Sequence, residues 1–370
     1  MTAILSRRSL SLFFTLLALP ASSFAGTLRI GVFGLFHPRE LTLRPAPQSV
    51  LIIEGDGRRL ILADGREARL RVAGRVLECQ DGEYALTASV LHAESRHGGP
   101  AEFVLSVPGR ISRAYRGMLG VTVHDGELVP IVTMDLEAAV ASAVAAESPP
   151  GAALAALEAQ AIVTRSYYLA ARRHHDFDFC DTTHCQFLRE LPSIVSPALI
   201  ATKRTRGLVL LYRGEIVPAL FSASCGGRTR SLSDVGLASQ AYPYYSVACE
   251  YCLRHAAVWT AVLSRRHAED LASGEPTEAK RLRIDRQFGW STIPGNNFTL
   301  ETAGESLIVR GTGQGHGVGL CQLGAWGMAS EGQSFQDILN YYFPNTSLGD
   351  ADNSARTSSP HTEVRLEPSR

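Results

Sequence analysis

The sequence predicts an α+β protein, with a β-rich N-terminal domain over residues 26–125 and a mixed α/β domain over 126–346. Two observations lead there. As far as about Thr133, short apolar runs are separated by Gly-Asp-Gly, Asp-Gly and Pro-Gly, the pattern of strands joined by tight turns. At Asp135 the texture changes to alanine-rich stretches of helical character, and a mixed set of segments follows. A chain of 370 residues is long enough for one large or two ordinary domains.

The first element is a leader over residues 1–25. Arg7 and Arg8 form a basic start, Leu10 to Leu19 an apolar run, and Ser23-Phe24-Ala25 a small-x-small end. That three-part pattern is a removable secretory signal, and its apolar run is too short to span a bilayer. Ser6-Arg7-Arg8 is only part of a twin-arginine motif. The expected location is therefore the periplasm, or the cell envelope and extracellular space, with no transmembrane segment after cleavage. Lysine plus arginine and aspartate plus glutamate both total 36, so bulk charge supports neither nucleic-acid binding nor attachment to acidic lipid. Seven cysteines in an oxidising space permit disulfides, but the odd count leaves at least one sulfur another fate.

The expected strands include Leu28–Phe33, Val50–Glu54, Arg69–Val72, Glu102–Val107 and Gly120–His124. Next, "DLEAAVASAVAAESPPGAALAALEAQAIVTRSYYLAARRHH" reads as two helices split by Pro149-Pro150, with Asp135 as N-cap. After the stretch "HHDFDFCDTTHCQ" come a short helix, a hairpin turning at Arg213-Gly214, the loop "CGGRTR", Cys249-Glu-Tyr-Cys252, and a mixed segment over about 257–310. The glycine-rich "GTGQGHGVGLCQLGAWGMA" and two last helical pieces follow. The tail over 347–370 is polar and low in bulky apolar residues, so it is expected to be disordered.

Three places carry candidate chemistry. Glu147 ends an apolar helix, where the helix dipole and apolar surroundings both disfavour a carboxylate and raise its pKa. That suits a general acid; a solvent-exposed glutamate at the helix end is the plainer alternative. On the next helix Arg165 lies seven residues after Glu158, on roughly one face, either as a surface ion pair or lining a cleft at Glu147. Cys180, Cys185, His184 and either His174 or His175 offer the soft and borderline ligands of tetrahedral zinc. A Cys180–Cys185 disulfide or a cysteine–histidine nucleophile pair are the alternatives, and Cys249–Cys252 has redox-type spacing without the context. The glycine loop would display His316 and Gln322 to a ligand, or simply pack tightly at a helix entry; its spacing is not a dinucleotide fingerprint.

Taken together, "AAESPPGAALAALEAQAIVTRSYYLA", "CDTTHCQ", "FSASCGGRT", "GQGHGVGLCQLGAWGMA" and "ILNYYFPNT", in this order, resemble the SpoIID/LytB family of stage II sporulation protein D-like peptidoglycan lytic transglycosylases. The resemblance covers about Tyr115 to Thr346 and implies a SpoIID-type catalytic domain over 126–346. It implies Glu147 as the catalytic acid with Arg165 beside it. It also implies a structural zinc ion on Cys180, His184, Cys185 and one earlier histidine, assigned to His174. Substrate-binding positions are expected at Gln160, Gln186, Ser224, His316, Gln322 and Tyr342. Glu147 should lie at the base of a groove walled by Arg165, the Cys/His loop and the loop around His316. The implied substrate is peptidoglycan glycan stripped of stem peptides, cleaved between MurNAc and GlcNAc to 1,6-anhydroMurNAc ends. The chain departs from the family at Glu158, where lysine is usual, at Arg230, where an acid is usual, and at Tyr341, the first residue of a motif that usually reads His-Tyr-Tyr-Pro. An exchange of charge between Glu158 and Arg230 is conceivable. The alternative function is a non-catalytic glycan-binding enhancer of a cell-wall amidase. A zinc hydrolase has less support, since neither His-Glu-x-x-His nor an open three-ligand site is present.

Overall fold

Alternating burial builds the strands of the N-terminal part: in β9 (Ala101–Val107) every second residue from Ala101 faces inward, as a strand half-covered by a core requires. This computed structural model describes residues 26–236, 241–264, 278–289 and 291–354. The expected secretory signal over 1–25 and the tail beyond 354 lie outside the described residues.

The strands before the first helix are β1 (Thr27–Gly31), β2 (Glu40–Pro45), β3 (Leu51–Gly55), β4 (Arg58–Leu62), β5 (Ala68–Ala73), β6 (Val76–Asp81), β7 (Tyr84–Ala88), β8 (Val90–Ser95), β9, β10 (Ile111–His124) and β11 (Glu127–Asp135). All five expected strands are among them. The long strand β10 belongs to two layers. Its first half pairs with β9 and leads through β2, β5 and β6 to β7, while its second half pairs with β8 and β11. Gly117 sits where it passes from one to the other, and a Cβ there would collide with the Thr133 carbonyl, so only glycine fits the close approach. The apolar faces of both layers meet in one core that includes Leu43, Leu51, Leu70, Leu105 and Val121.

The β10–β11 hairpin turns at Asp125-Gly126, with φ of 49° and 77°, the left-handed pair that a two-residue hairpin demands. The boundary expected between residues 125 and 126 falls in this turn, and both the sheet and the core run across it. Asp135 caps α1 (Leu136–Glu147) by accepting from the Ala138 N–H at 3.1 Å. The prolines then break the chain, and α2 (Leu154–Ala170) begins. Small residues let α2 be covered from both sides. Leu157, Ala161, Tyr167 and Tyr168 join the core of the β-rich part, and Ala156, Ala159, Ile162 and Val163 join a second one.

After α2, β12 (Phe179–Cys180) adds a parallel strand to the free edge of β1, and α3 (Pro197–Arg204) packs on α1 and α2. The predicted hairpin is β13 (Leu208–Tyr212) and β14 (Glu215–Ile216), turning at Arg213-Gly214. β15 (Phe221–Ser222) leads to α4 (Glu250–His255). The mixed segment forms its own small unit, in which β16 (Val258–Ser264), β17 (Asn297–Ala303) and β18 (Ser306–Thr312) share a core with the helix Glu278–Phe288. β19 (Leu320–Cys321) pairs with β15 and opens the helix Gln322–Ser330. The helix Phe335–Tyr342 follows, started by a Ser334–Asp337 capping box.

One expectation is corrected at the C-terminal end. Residues 347–354 are not a disordered tail: Ser347–Asp350 form β20 on the second edge of β13, and Ala351–Ser354 make a helical turn. Main-chain pairing with Leu208–Leu211 supplies what the poor apolar content of this segment does not. The α+β class stands.

Candidate active site

Glu147 is the last residue of α1 and is held from two sides. The Phe187 N–H donates to its Oε1 at 2.6 Å, and the Gln322 side-chain amide donates to its main-chain carbonyl at 3.0 Å. Burial raises the carboxyl above its usual range, with the Phe187 N–H opposing. Beside it a small hollow is lined by Ser148, Pro149, Gln160, Leu320 and Gln322. Gln160 and Gln186 are both buried, and their amide oxygens have no hydrogen-bond partner among the described residues. Of the expected substrate-binding positions, Gln322 touches Glu147, Gln160 shares the lining of the hollow, and Gln186 directly precedes Phe187 in the chain.

Arg165 is not at the site. Its side chain is 0% exposed and its donors are committed. Nε and Nη2 grip both oxygens of Glu137 at 2.7 Å, Nη1 donates to the Leu208 carbonyl, and Nη2 also reaches that of Thr202. Glu137 lies in the first turn of α1, the far end from Glu147. This arginine ties α1, α2, α3 and β13 together, which corrects the expectation that it works beside the acid. The Glu158–Arg230 exchange is not formed either. Glu158 lies 3.6 Å from Arg204, and Arg230 reaches Asn297.

The other expected substrate residues are also engaged elsewhere. Tyr342 is 2% exposed and meets the Cys249 sulfur at 3.3 Å, so it offers no stacking face to a sugar. Ser224 lies against Cys252. His316 accepts the Val318 N–H at Nδ1, and burial lowers its pKa below the usual histidine value although Glu278 stands near.

The Cys/His loop does close on itself. The ligand atoms of His174, Cys180, His184 and Cys185 lie within 4.8 Å of one another. The two sulfurs are 3.4 Å apart, His174 Nε2 is 3.3 Å from Cys185, and His184 Nδ1 is 3.7 and 3.6 Å from Cys180 and Cys185. Zinc bonds of about 2.3 Å to sulfur and about 2.0 Å to nitrogen give a tetrahedron with edges of roughly 3.3–3.8 Å, so the residues fit this ion. A disulfide needs a sulfur separation of about 2.05 Å, and both cysteines are free. His175 stands outside, fully exposed and paired with Asp176. Thr182 and the Cys180 N–H support the sulfurs. The Cys185 contact, and then the two histidines, pull the Cys180 thiol far below its ordinary range. Next to it, burial pushes Asp181 up to about 6, against the Phe33 N–H and Arg113.

Two features go beyond what the sequence was read to hold. Phe187 acts through its main chain, which no residue type announces. Cys225, Cys249, Cys252 and Cys321 also come together, all buried. The Cys-x-x-Cys pair was the available signal, but its partners lie on other elements, Cys321 being 69 residues beyond Cys252.

Fold and site thus define a class: a mixed chain built around one half-buried acid at a helix end, with sulfur clusters on neighbouring loops. Residues 124–212 match the SpoIID family model, described as Stage II sporulation protein. The chain is 41% identical over 56 residues to Stage II sporulation protein D of Bacillus subtilis (strain 168), 15% of this chain and 16% of that protein. It is 23% identical over 281 residues to the amidase enhancer of the same organism, covering 55% and 39%. An uncharacterized protein of Brachyspira hyodysenteriae is 29% identical over 268 residues, covering 64% and 72%. These matches support assigning the segment over residues 124–212 to the SpoIID family.

Proposed function

We propose that this protein is a lytic transglycosylase acting on peptidoglycan glycan strands, with Glu147 as its acid and base. The observation that carries the reading is the state of that carboxyl: half-buried, raised in pKa by burial, and fixed at one oxygen by the Phe187 N–H. Ordinary glycosidases use two carboxylates; one suffices when the nucleophile belongs to the substrate. Glu147, protonated, gives its proton to the oxygen linking MurNAc C1 to GlcNAc C4, and the C1–O bond breaks. The cationic sugar is stabilised by its own N-acetyl group. Glu147, now ionised, takes the proton of the MurNAc C6 hydroxyl as that oxygen bonds to C1. The products are a 1,6-anhydroMurNAc end and a free GlcNAc C4 hydroxyl, and no water is consumed. Gln160 and Gln322, which line the hollow beside the acid, would orient sugar hydroxyls there.

His174, Cys180, His184 and Cys185 would hold a structural zinc, since four protein ligands leave no open position for a reacting water. It would fix the loop that carries Phe187. The protein would work in the cell envelope or outside the cell, and among the described residues no helix is long and apolar enough to cross a membrane. Mass spectrometry of denuded glycan strands incubated with wild type and with Glu147→Gln tests the reaction. Anhydro ends from the wild type alone are expected. Reducing ends would mean hydrolysis, and no cleavage by the wild type would leave the amidase-enhancing role. Anhydro ends that persist in the variant would mean another residue is the acid.

A further inference from the structure

The geometry points to a second metal site: we propose that Cys225, Cys249, Cys252 and Cys321 bind one zinc ion as four thiolates. All four side chains are buried, and their sulfurs lie within 4.8 Å of one another, Cys252 and Cys321 at 3.3 Å. Bonds of about 2.3 Å to a single tetrahedral ion set sulfur–sulfur edges at roughly 3.8 Å, which this cluster can meet with small shifts. An iron–sulfur cluster, with several irons and bridging sulfides between the thiolates, would hold them further apart.

The surroundings are built for sulfur that carries charge. The Cys225 and Gly324 N–H groups both donate to Cys321 at 3.3 Å. The hydroxyls of Tyr342 and Ser224 lie 3.3 and 3.5 Å from Cys249 and Cys252. Donors aimed at each of three sulfurs are what a tetrathiolate centre requires of its outer shell, whereas a pair of disulfides has little use for them. Backbone choices agree. Cys249 and Cys252 bracket the first turn of α4, so both sulfurs face one side. Gly226 and Gly227, with φ of 73° and 118°, turn the chain directly after Cys225. A Cβ on Gly324 would collide with both the Tyr342 hydroxyl and the Cys249 sulfur.

The site joins three separate segments that no continuous strand or helix connects. One of its ligands, Cys321, directly precedes Gln322, which holds the Glu147 carbonyl. The ion would therefore lock the wall of the hollow opposite the Cys/His loop. It is closed and structural, and its existence does not depend on what the protein cleaves.

The test uses the whole exported chain purified without chelators. Elemental analysis is expected to give two zinc ions per chain, falling to one in Cys249→Ser and to one in Cys180→Ser. X-ray absorption of the unaltered protein guards against a variant that does not fold. Four sulfurs at one site and two at the other average to three sulfurs and one nitrogen per zinc. A shell of two sulfurs and two nitrogens on a single zinc would overturn the proposal. So would iron in place of zinc, or mass spectrometry showing these four cysteines joined as disulfides.

Discussion

At the scale of single residues, two charged side chains of adjoining helices have opposite duties. Glu147 is raised by burial with only one hydrogen bond to offset it, so the folded protein binds that proton more tightly than the unfolded chain does. The resulting contribution to stability is present below the ordinary carboxyl value of 4.5 and is lost as pH rises through the higher folded value. Glu147→Gln should therefore raise the Tm at pH 7 and leave it nearly unchanged at pH 3, which calorimetry at the two pH values checks. Transglycosylation should decline on the alkaline side as the same group ionises, and rates measured across pH 4–9 would detect a profile that instead stays flat. Arg165 is the reverse case. Removing one partner of a buried ion pair costs about 3–5 kcal/mol, so Arg165→Ala should lower the unfolding free energy measured in urea by that amount. The folded fraction that remains should keep its turnover, because among the described residues no hydrogen bond or ion pair joins this arginine to Glu147.

Elements follow the sequence where a local rule decides them. Asp135 as cap, the double proline and the Arg213-Gly214 turn are all local, and all three were legible. So was the alternation that made the strands. β20 was not, because its partner is the backbone of β13 and Leu348 is the one large apolar residue it has. The boundary expected at 125/126 falls in the Asp125-Gly126 hairpin turn, and the pairing of β10 with β11 runs on both sides of it. A chain ending at Thr346 should lose the β13–β20 ladder, at about 1 kcal/mol per hydrogen bond. A lowered thermal midpoint with an otherwise native spectrum is expected, and an unchanged midpoint would show that the edge needs no cover.

For the whole molecule, the half of the site carried by nearby residues could be read, and the half assembled across the chain could not. Glu147 and the loop over 174–185 are each contained in a short segment. The Gln322 contact and the four-cysteine cluster depend on how distant loops meet. The two clusters also differ in access, for His184 is exposed while Cys225, Cys249, Cys252 and Cys321 are all buried. A chelator should therefore withdraw zinc in two phases, the Cys/His loop first. A zinc-sensitive dye would follow both phases, and activity should fall with the first. A single phase carrying both ions would mean the two walls open together. There is one more consequence, and it concerns order in time. β1 lies between β11 and β12, pairing Thr27 with Asp135 and Ile30 with Phe179. This strand, the first among the described residues, must wait for segments made more than a hundred residues later, and such long-range closure is slow. Cys180 takes its place only when β12 docks on that waiting strand. The loop that steadies Glu147 thus cannot close until roughly the first half of the chain, through β12, has been made.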